Sequence, residues 1–266
     1  MFSDLFYETS DASRIFSRMK MTLILFTLIT ATYFASAQSD VIPTNDGNVK
    51  VTPILHSTMV LEWKDRTIYI DPYGGAERFN NFKKPDIVVI THAHGDHFNK
   101  ETLKGLDLTS AELIAPHAVV DELGDIKFGQ VTAMKSTGGA AREGIRIEAM
   151  PMYNLPDDET SRHKKGWGNG YVINIGNTRF YISGDTEDII EMRLLQDIDY
   201  AFVCMNQPYT MTVEQAADAV LEFKPKVVYP FHYRGQDGLS DVEKFKELVA
   251  VNPKIEVRLR NWYPEL

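Results

Sequence analysis

The heptapeptide Thr91-His92-Ala93-His94-Gly95-Asp96-His97 places three histidines and an aspartate within seven positions. It follows "DIVVI" (residues 86–90), an apolar run rich in β-branched residues and too short for a helix, which reads as a buried strand. In the extended backbone that leaves such a strand, residues two apart point the same way. His92 and His94 therefore present their imidazoles side by side. Gly95 permits a sharp turn, after which Asp96 and His97 return from another direction. One ion cannot take all four groups with good geometry from so short a loop, so the stretch predicts part of a two-metal site. Imidazole and carboxylate donors without a thiolate suit Zn2+, with iron or manganese also compatible. Without such a purpose, four polar groups set against a buried strand would be costly to bury.

On the N-terminal side, "VKVTPIL" (49–55), "MVLEW" (59–63) and "TIYIDP" (67–72) are short β-rich segments broken by polar turns. On the C-terminal side, strand-like and helix-like segments alternate. "KETLKGL" (100–106) and "AELIAPHAVVDEL" (111–123) are expected to be helical, with His117 a structural residue at a helix start. "GIRIEAMPMY" (144–153), "GYVINI" (170–175), "TRFYIS" (178–183) and "KVVYPFHY" (226–233) are expected strands. Further helices are expected over "EDIIEMRLLQ" (187–196) and after two capping-box spacings, Thr212 with Gln215 and Ser240 with Glu243. No short repeat and no Pro/Gly-rich linker follows residue 48, so residues 38–266 read as a single domain. Many strands and about five helices suggest a layered α/β fold with helices covering sheet faces. Its chemistry-capable residues share one kind of place. His92 and His94, Asn154, Asp185 and His232 each stand where a strand runs out into a loop, and strand ends gathered at one edge are where α/β proteins build sites.

"THAHGDH", the later "SGDT" (183–186) and the strand-terminal "PFHY" (230–233) together resemble the metallo-β-lactamase superfamily. Within it, the chain is similar to the metal-dependent hydrolase group that includes ascorbate-phosphate lactonase-like proteins, over roughly residues 49–235. The resemblance implies a four-layer αββα sandwich with a metal site at one edge of the sheets. Carried over residue by residue, it implies that His92 and His94 bind a first metal and that Asp96 and His97 bind a second. Asp185 would bridge the two, and His232 would complete the second site. The sequence departs from the pattern at one ligand. Where a further histidine usually stands, "MPMYN" ends in Asn154, a weak zinc ligand through its amide oxygen. His163, in "SRHKKGWGNG" (161–170), is the other candidate, reaching in from a loop. His56 matches an early histidine of related hydrolases and is a candidate for supporting the metals or meeting substrate. Asp71, in "YIDPYGG", is expected to organise its loop, and Tyr233 and Arg234 are candidates for contact with an anionic substrate. Phe79, Phe82, Trp167 and Tyr209 are candidates for lining a pocket.

The N-terminus carries a different message. Arg18 and Lys20 precede the apolar run "MTLILFTLITATYF", and "ASA" at 35–37 supplies small residues for a signal peptidase. Residues 1–37 are therefore expected to be a signal peptide, cleaved before Gln38; Met19 and Met21 are alternative starts, because the first 18 residues are polar and acidic ahead of the basic start. That predicts an exported protein, periplasmic or secreted, with no membrane span after cleavage. The formal net charge is −9 with or without that segment, and no basic block appears, which argues against a nucleic-acid partner. Cys204 is the single cysteine and lies in an apolar run, so an intramolecular disulfide is excluded and a buried thiol is expected.

The chemistry this implies is hydrolysis by a hydroxide that two metals generate at neutral pH. Asp96 is the expected catalytic carboxylate, orienting that nucleophile toward an ester, lactone, amide or phosphodiester of a small molecule. There is no G-x-S-x-G, Walker or Rossmann glycine pattern to suggest other chemistry. A β-lactam hydrolase is an alternative favoured by export. A non-catalytic metal- or partner-binding protein on a hydrolase scaffold is a second, which retention of both Asp96 and Asp185 disfavours. Oligomeric state and substrate leave no signal in the sequence.

Overall fold

The strands alternate in the sense that their sequences require. In β3 (Thr58–Trp63), Met59, Leu61 and Trp63 enter one apolar core while Val60 enters another. β4 (Arg66–Ile70) does the same with Ile68 and Ile70 against Tyr69, and β5 (Ile87–Val89) with Ile87 and Val89 against Val88. Burial on both faces explains why these runs are apolar throughout. The computed structural model describes residues 38–264, so the expected signal peptide, residues 1–37, lies outside the described residues.

Two seven-stranded sheets carry the fold. The first has β1 (Asp40–Thr44), β2 (Gly47–Leu55), β3, β4, β5, β6 (Glu112–Ala115) and β7 (Gln130–Ala133) in sequence order. Strands β1 to β4 pair antiparallel and β4 to β7 parallel. The second sheet repeats that plan. β8 (Gly139–Arg142), β9 (Ile145–Met152), β10 (Gly168–Ile175) and β11 (Thr178–Ile182) pair antiparallel. β12 (Tyr200–Cys204) and β13 (Val227–Phe231) then add in parallel, with β16 (Glu256–Val257) at the edge. A small ribbon, β14 (Arg234–Gly235) with β15 (Gly238–Leu239), follows β13.

Helices close both outer faces. α1 (Lys100–Gly105) and α2 (His117–Asp121) cover the core on the outer side of the first sheet, through Leu103 and Val119. α3 (Ile190–Arg193), α4 (Val213–Phe223) and α5 (Val242–Val249) pack against the larger core that joins the two sheets. The layers are therefore helix, sheet, sheet, helix. Among the described residues no helix is long and apolar enough to cross a membrane.

Three local expectations need correction. "AELIA" is not helical: Glu112–Ala115 forms β6, fully buried between β5 and β7, and only His117–Asp121 beyond Pro116 is helix. A four-residue apolar run flanked by two parallel partners gains more as a sheet centre than as a helix turn. The helix over 187–196 shrinks to the single turn of α3. The cap of α5 is Asp241, which accepts from the Lys244 N–H at 2.9 Å, because the Ser240 hydroxyl donates instead to the Met205 carbonyl. The capping box of α4 forms as expected, Thr212 and Gln215 each accepting from the other's backbone. Cys204 is fully buried, and burial pushes its thiol up to about 12.

Candidate metal centre

Six strand ends deliver the site. The chain leaves β4 at Asp71, β5 at the 91–97 loop, β9 at Asn154, β11 at Asp185 and β13 at His232, while His56 follows β2. Parallel pairing of β4 with β5, and of β11 with β12 and β13, puts these exits on one edge of the sandwich. A cleft lined by Arg66, Asp86, Glu112 and Arg142 lies at the opposite ends of the strands, where its charges pair with one another.

Three overlapping ligand groups form there: His92, His94 and His163; His92, His97 and Asp185; and Asp96, His97 and His232. His92 Nε2 lies 3.0 Å from His94 Nδ1, which is 3.2 Å from His163 Nε2. Asp185 Oδ1 lies 3.3 Å from His97 Nε2 and 3.4 Å from His232 Nε2, while its Oδ2 is 3.6 Å from His163 Nε2. Asp96 Oδ2 is 3.5 Å from His232 Nε2 and 4.0 Å from His97 Nε2. Asp185 thus stands between a triad built on His92 and His94 and a triad built on Asp96, His97 and His232.

His163 and Asn154 divide the work between them. Asn154 Oδ1 accepts from the His163 backbone N–H at 2.8 Å and from its ring Nδ1 at 2.9 Å. Its Nδ2 donates to Glu187 Oε1 at 3.2 Å and to the Tyr209 carbonyl at 2.9 Å. With both oxygen and nitrogen so occupied, Asn154 is no ligand itself; it holds the fully buried His163 ring with Nε2 turned inward. Asn154→Ala is accordingly expected to weaken metal binding about 10–100-fold, the usual effect of removing a ligand's orienting partner. A competition titration with a chromogenic chelator measures it, and wild-type affinity would count against the assignment.

A second support lies deeper. Asp71, fully buried, accepts from the Thr91 N–H at 2.7 Å, the Thr91 hydroxyl at 2.7 Å and His97 Nδ1 at 2.7 Å. The Thr91 oxygen in turn lies 3.0 Å from His92 Nδ1. With both Nδ1 atoms donating outward, the Nε2 lone pairs of His92 and His97 face the centre. Sequence reasoning gave Asp71 only a loop-organising role; the signal for more was its position directly after a strand.

The remaining candidates separate cleanly. His56 packs edge-on to His232 at 5.1 Å between ring centroids, and its Nδ1 is 3.2 Å from the Tyr263 hydroxyl. Tyr233 is buried and its hydroxyl donates to the Arg260 carbonyl, away from the centre, whereas Arg234 is exposed. The Trp167 ring lies 4.8 Å from that of His94 and forms a wall of the site. Phe79 instead packs on Tyr69 in the outer core, at 4.7 Å, and Phe82 is half-buried against that same core.

The donor set fits a pair of divalent cations. His97 Nε2 and Asp185 Oδ1 are buried, face each other, and have no hydrogen-bond partner. Groups left so exposed to desolvation persist where an ion satisfies them. Residues 50–232 match the Beta-lactamase superfamily domain, which is more than half of the chain. The chain belongs to the metallo-β-lactamase superfamily. As a metal-dependent hydrolase of that superfamily it is an enzyme, and its relatives match most of its length. A UPF0173 metal-dependent hydrolase of Pyrococcus abyssi is 28% identical over 79% of this chain and 96% of its own. A solved metal-dependent hydrolase from Parabacteroides distasonis is 36% identical, with a TM-score of 0.74 over 84% of this chain and 98% of its own. The metallo hydrolase Igni18 of Ignicoccus hospitalis is 28% identical, with a TM-score of 0.67 over 79% and 94%.

The electrostatics of this hydrolase divide its histidines into two groups. Burial pushes His163 and His56 down to about 4, and pushes His92 well below its usual value. At His97 burial acts the same way, but the carboxylates of Asp185, Asp71 and Asp96 outweigh it and hold the ring well above its ordinary value. His232 is also raised, chiefly by Asp185 against burial. Between about 4 and 6.5, then, the unfolded chain binds protons that folded His56, His92 and His163 exclude. Stability of the metal-free protein rises with pH across that window. Above 6.5 the folded chain keeps protons on His97 and His232 that the unfolded chain has lost, so stability falls again. The urea midpoint of chelator-treated protein should peak near pH 6.5 and decline on both sides. Metal-loaded protein, whose cations replace those two protons, should hold its midpoint up to pH 8. A flat profile without metal would refute the reading.

Proposed function

We propose that this hydrolase holds two zinc ions and cleaves an ester, lactone, amide or phosphodiester of a small molecule outside the cytoplasm. The observation that carries the reading is the meeting of two ligand triads at Asp185, where His97 Nε2 and Asp185 Oδ1 lack any hydrogen-bond partner. His92, His94 and His163 would hold one ion and Asp96, His97 and His232 the other, with Asp185 shared. Nitrogen and oxygen donors without thiolate support zinc over softer choices. When bound, such a pair lowers the pKa of water toward 7 and polarises the oxygen of the group under attack.

The chain's own contribution is orientation and proton handling. Asp96 is the ligand-group carboxylate with substantial solvent exposure, 39% of its side chain, so it stands where attacking water and substrate meet. Burial would raise its pKa, but His97 and His232 hold it well below the usual carboxylate range, so it accepts hydrogen bonds without itself being neutralised. His56, kept neutral by burial, lies beside His232 and can donate or accept at the same mouth. The Trp167 ring excludes water from the His92 and His94 side. Export is supported by the leader-like residues 1–37.

Purified protein of measured metal content, tested on a panel of esters, lactones, phosphodiesters and a β-lactam, is the decisive experiment. Turnover that chelation removes and zinc restores is expected, with Asp96→Asn lowering kcat by about 10²-fold or more. No turnover at two metal equivalents, or full turnover in Asp96→Asn, would overturn the proposal.

A further inference from the structure

Every described arginine but two has its side chain ion-paired to a carboxylate or bonded to a carbonyl. The exceptions are Arg162 and Arg234, both exposed. They are also the two arginines next to metal ligands, Arg162 preceding His163 and Arg234 following two residues after His232. In an acidic chain of net charge −9, two arginines left without a carboxylate beside one centre are not explained by surface pairing.

Both are placed by the fold, Arg162 through its side chain and Arg234 through its backbone. The Arg162 guanidinium lies over the Tyr209 ring at 4.5 Å. Arg234 sits in the β14–β15 ribbon, where its N–H donates to the Tyr263 hydroxyl at 3.0 Å. That ribbon is docked on Gln207, since the Gln236 N–H donates to the Gln207 carbonyl at 2.9 Å. Gly235 makes the approach possible, because any Cβ there would overlap that same carbonyl. One segment, 206–210, therefore carries the Arg162 guanidinium and seats the ribbon that bears Arg234. It is tied to the centre itself, with Asn206 Nδ2 donating to Asp185 Oδ2 at 3.4 Å and the Tyr209 carbonyl accepting from Asn154. The charges are felt inside: Arg162 adds to burial in lowering His94 and His163, and Arg234 does so at His56.

We propose that the substrate is an anion whose carboxylate or phosphate group is met by the Arg162 and Arg234 guanidiniums while its scissile bond lies over the metal centre. A guanidinium offers paired donors that match either oxyanion, which a lysine in the same place would not. Trp167, with its ring 4.8 Å from that of His94, supplies an apolar wall for the rest of such a substrate. The inference rests on the hydrolase reading for its chemistry but not for its binding geometry.

Two measurements on metal-loaded protein test it. The first compares 4-nitrophenyl valerate with mono-4-nitrophenyl glutarate, which differ by a terminal carboxylate. The glutarate ester should be preferred about tenfold or more in kcat/KM, mainly through KM, about 1.4 kcal/mol. In Arg162→Gln and Arg234→Gln that preference should fall toward one while the metal content stays at the wild-type level. The second is calorimetric titration with glutarate and with glycerol 3-phosphate. Each variant should bind the favoured anion about tenfold more weakly, and the tighter of the two anions tells whether the group is carboxylate or phosphate. Equal affinities in wild type and both variants, or no preference for the charged ester, would overturn the proposal. No turnover of either ester would count against the hydrolytic reading instead, and the titration alone would then decide the anion site.

Discussion

Asp185→Asn is expected to bind fewer than two equivalents of metal and to lose at least about 100-fold in kcat/KM, because an ion's contribution to such chemistry is several kcal/mol and each 1.36 kcal/mol is tenfold. The residue is 3% exposed and lies within 3.6 Å of ligand nitrogens from three separate segments, His97, His163 and His232. Burial disfavours its charge, yet His232 and His97 hold its pKa well below the usual value, so it remains a carboxylate. Asparagine keeps the shape and the Asn206 contact but removes the anion that two cations would share. Elemental analysis beside circular dichroism separates metal loss from unfolding. Two retained equivalents with wild-type turnover would refute the bridging role.

Asp71→Ala should cost more in stability than any other change at the site. Three buried donors, the Thr91 N–H, the Thr91 hydroxyl and His97 Nδ1, converge on that side chain, and each buried donor left without a partner costs about 1–3 kcal/mol. A loss of roughly 3–5 kcal/mol is expected, or on the order of 10 °C in Tm. Zinc affinity should fall as well, by about 10–100-fold, since His97 Nδ1 loses the carboxylate that orients it and the Thr91 hydroxyl that meets His92 Nδ1 loses its own anchor. Asp71→Asn, which retains one acceptor oxygen, should recover part of the stability and little of the affinity. Thermal melts with and without zinc distinguish the two effects. An unchanged melt in the alanine variant would remove Asp71 from the support of the centre.

Much of the site was legible because strands impose a simple rule. A β-rich run that ends in a histidine or aspartate marks an edge of the sheet, and His92, His94, Asp185 and His232 all follow that rule. His163 does not. It arrives from the loop between β9 and β10, and nothing in "SRHKKG" signals a fully buried ring. Asn154 occupied the strand end where a ligand was sought, while its actual task, orienting that ring, depends on contacts 9 and 55 residues away in sequence. The helix expected over "AELIA" failed for a related reason. A short apolar run carries no periodicity of its own, and only the neighbours β5 and β7 make it a strand. Tyr233 was a candidate for substrate contact by proximity to His232, but alternation along the chain turns it toward the Arg260 carbonyl.

The repeated plan of the two sheets has a consequence for how the molecule can be divided. β1 to β7 belong to one sheet and β8 onward to the other, with the chain crossing between them once, at residues 134–138. The first half owns His92, His94, Asp96 and His97; the second owns His163, Asp185 and His232. Each triad draws on both halves, so neither half can complete a coordination shell. A chain nicked between Ala133 and Gly139 would become a pair of complementing fragments whose association is helped by bound metal, acting as a clasp across the seam.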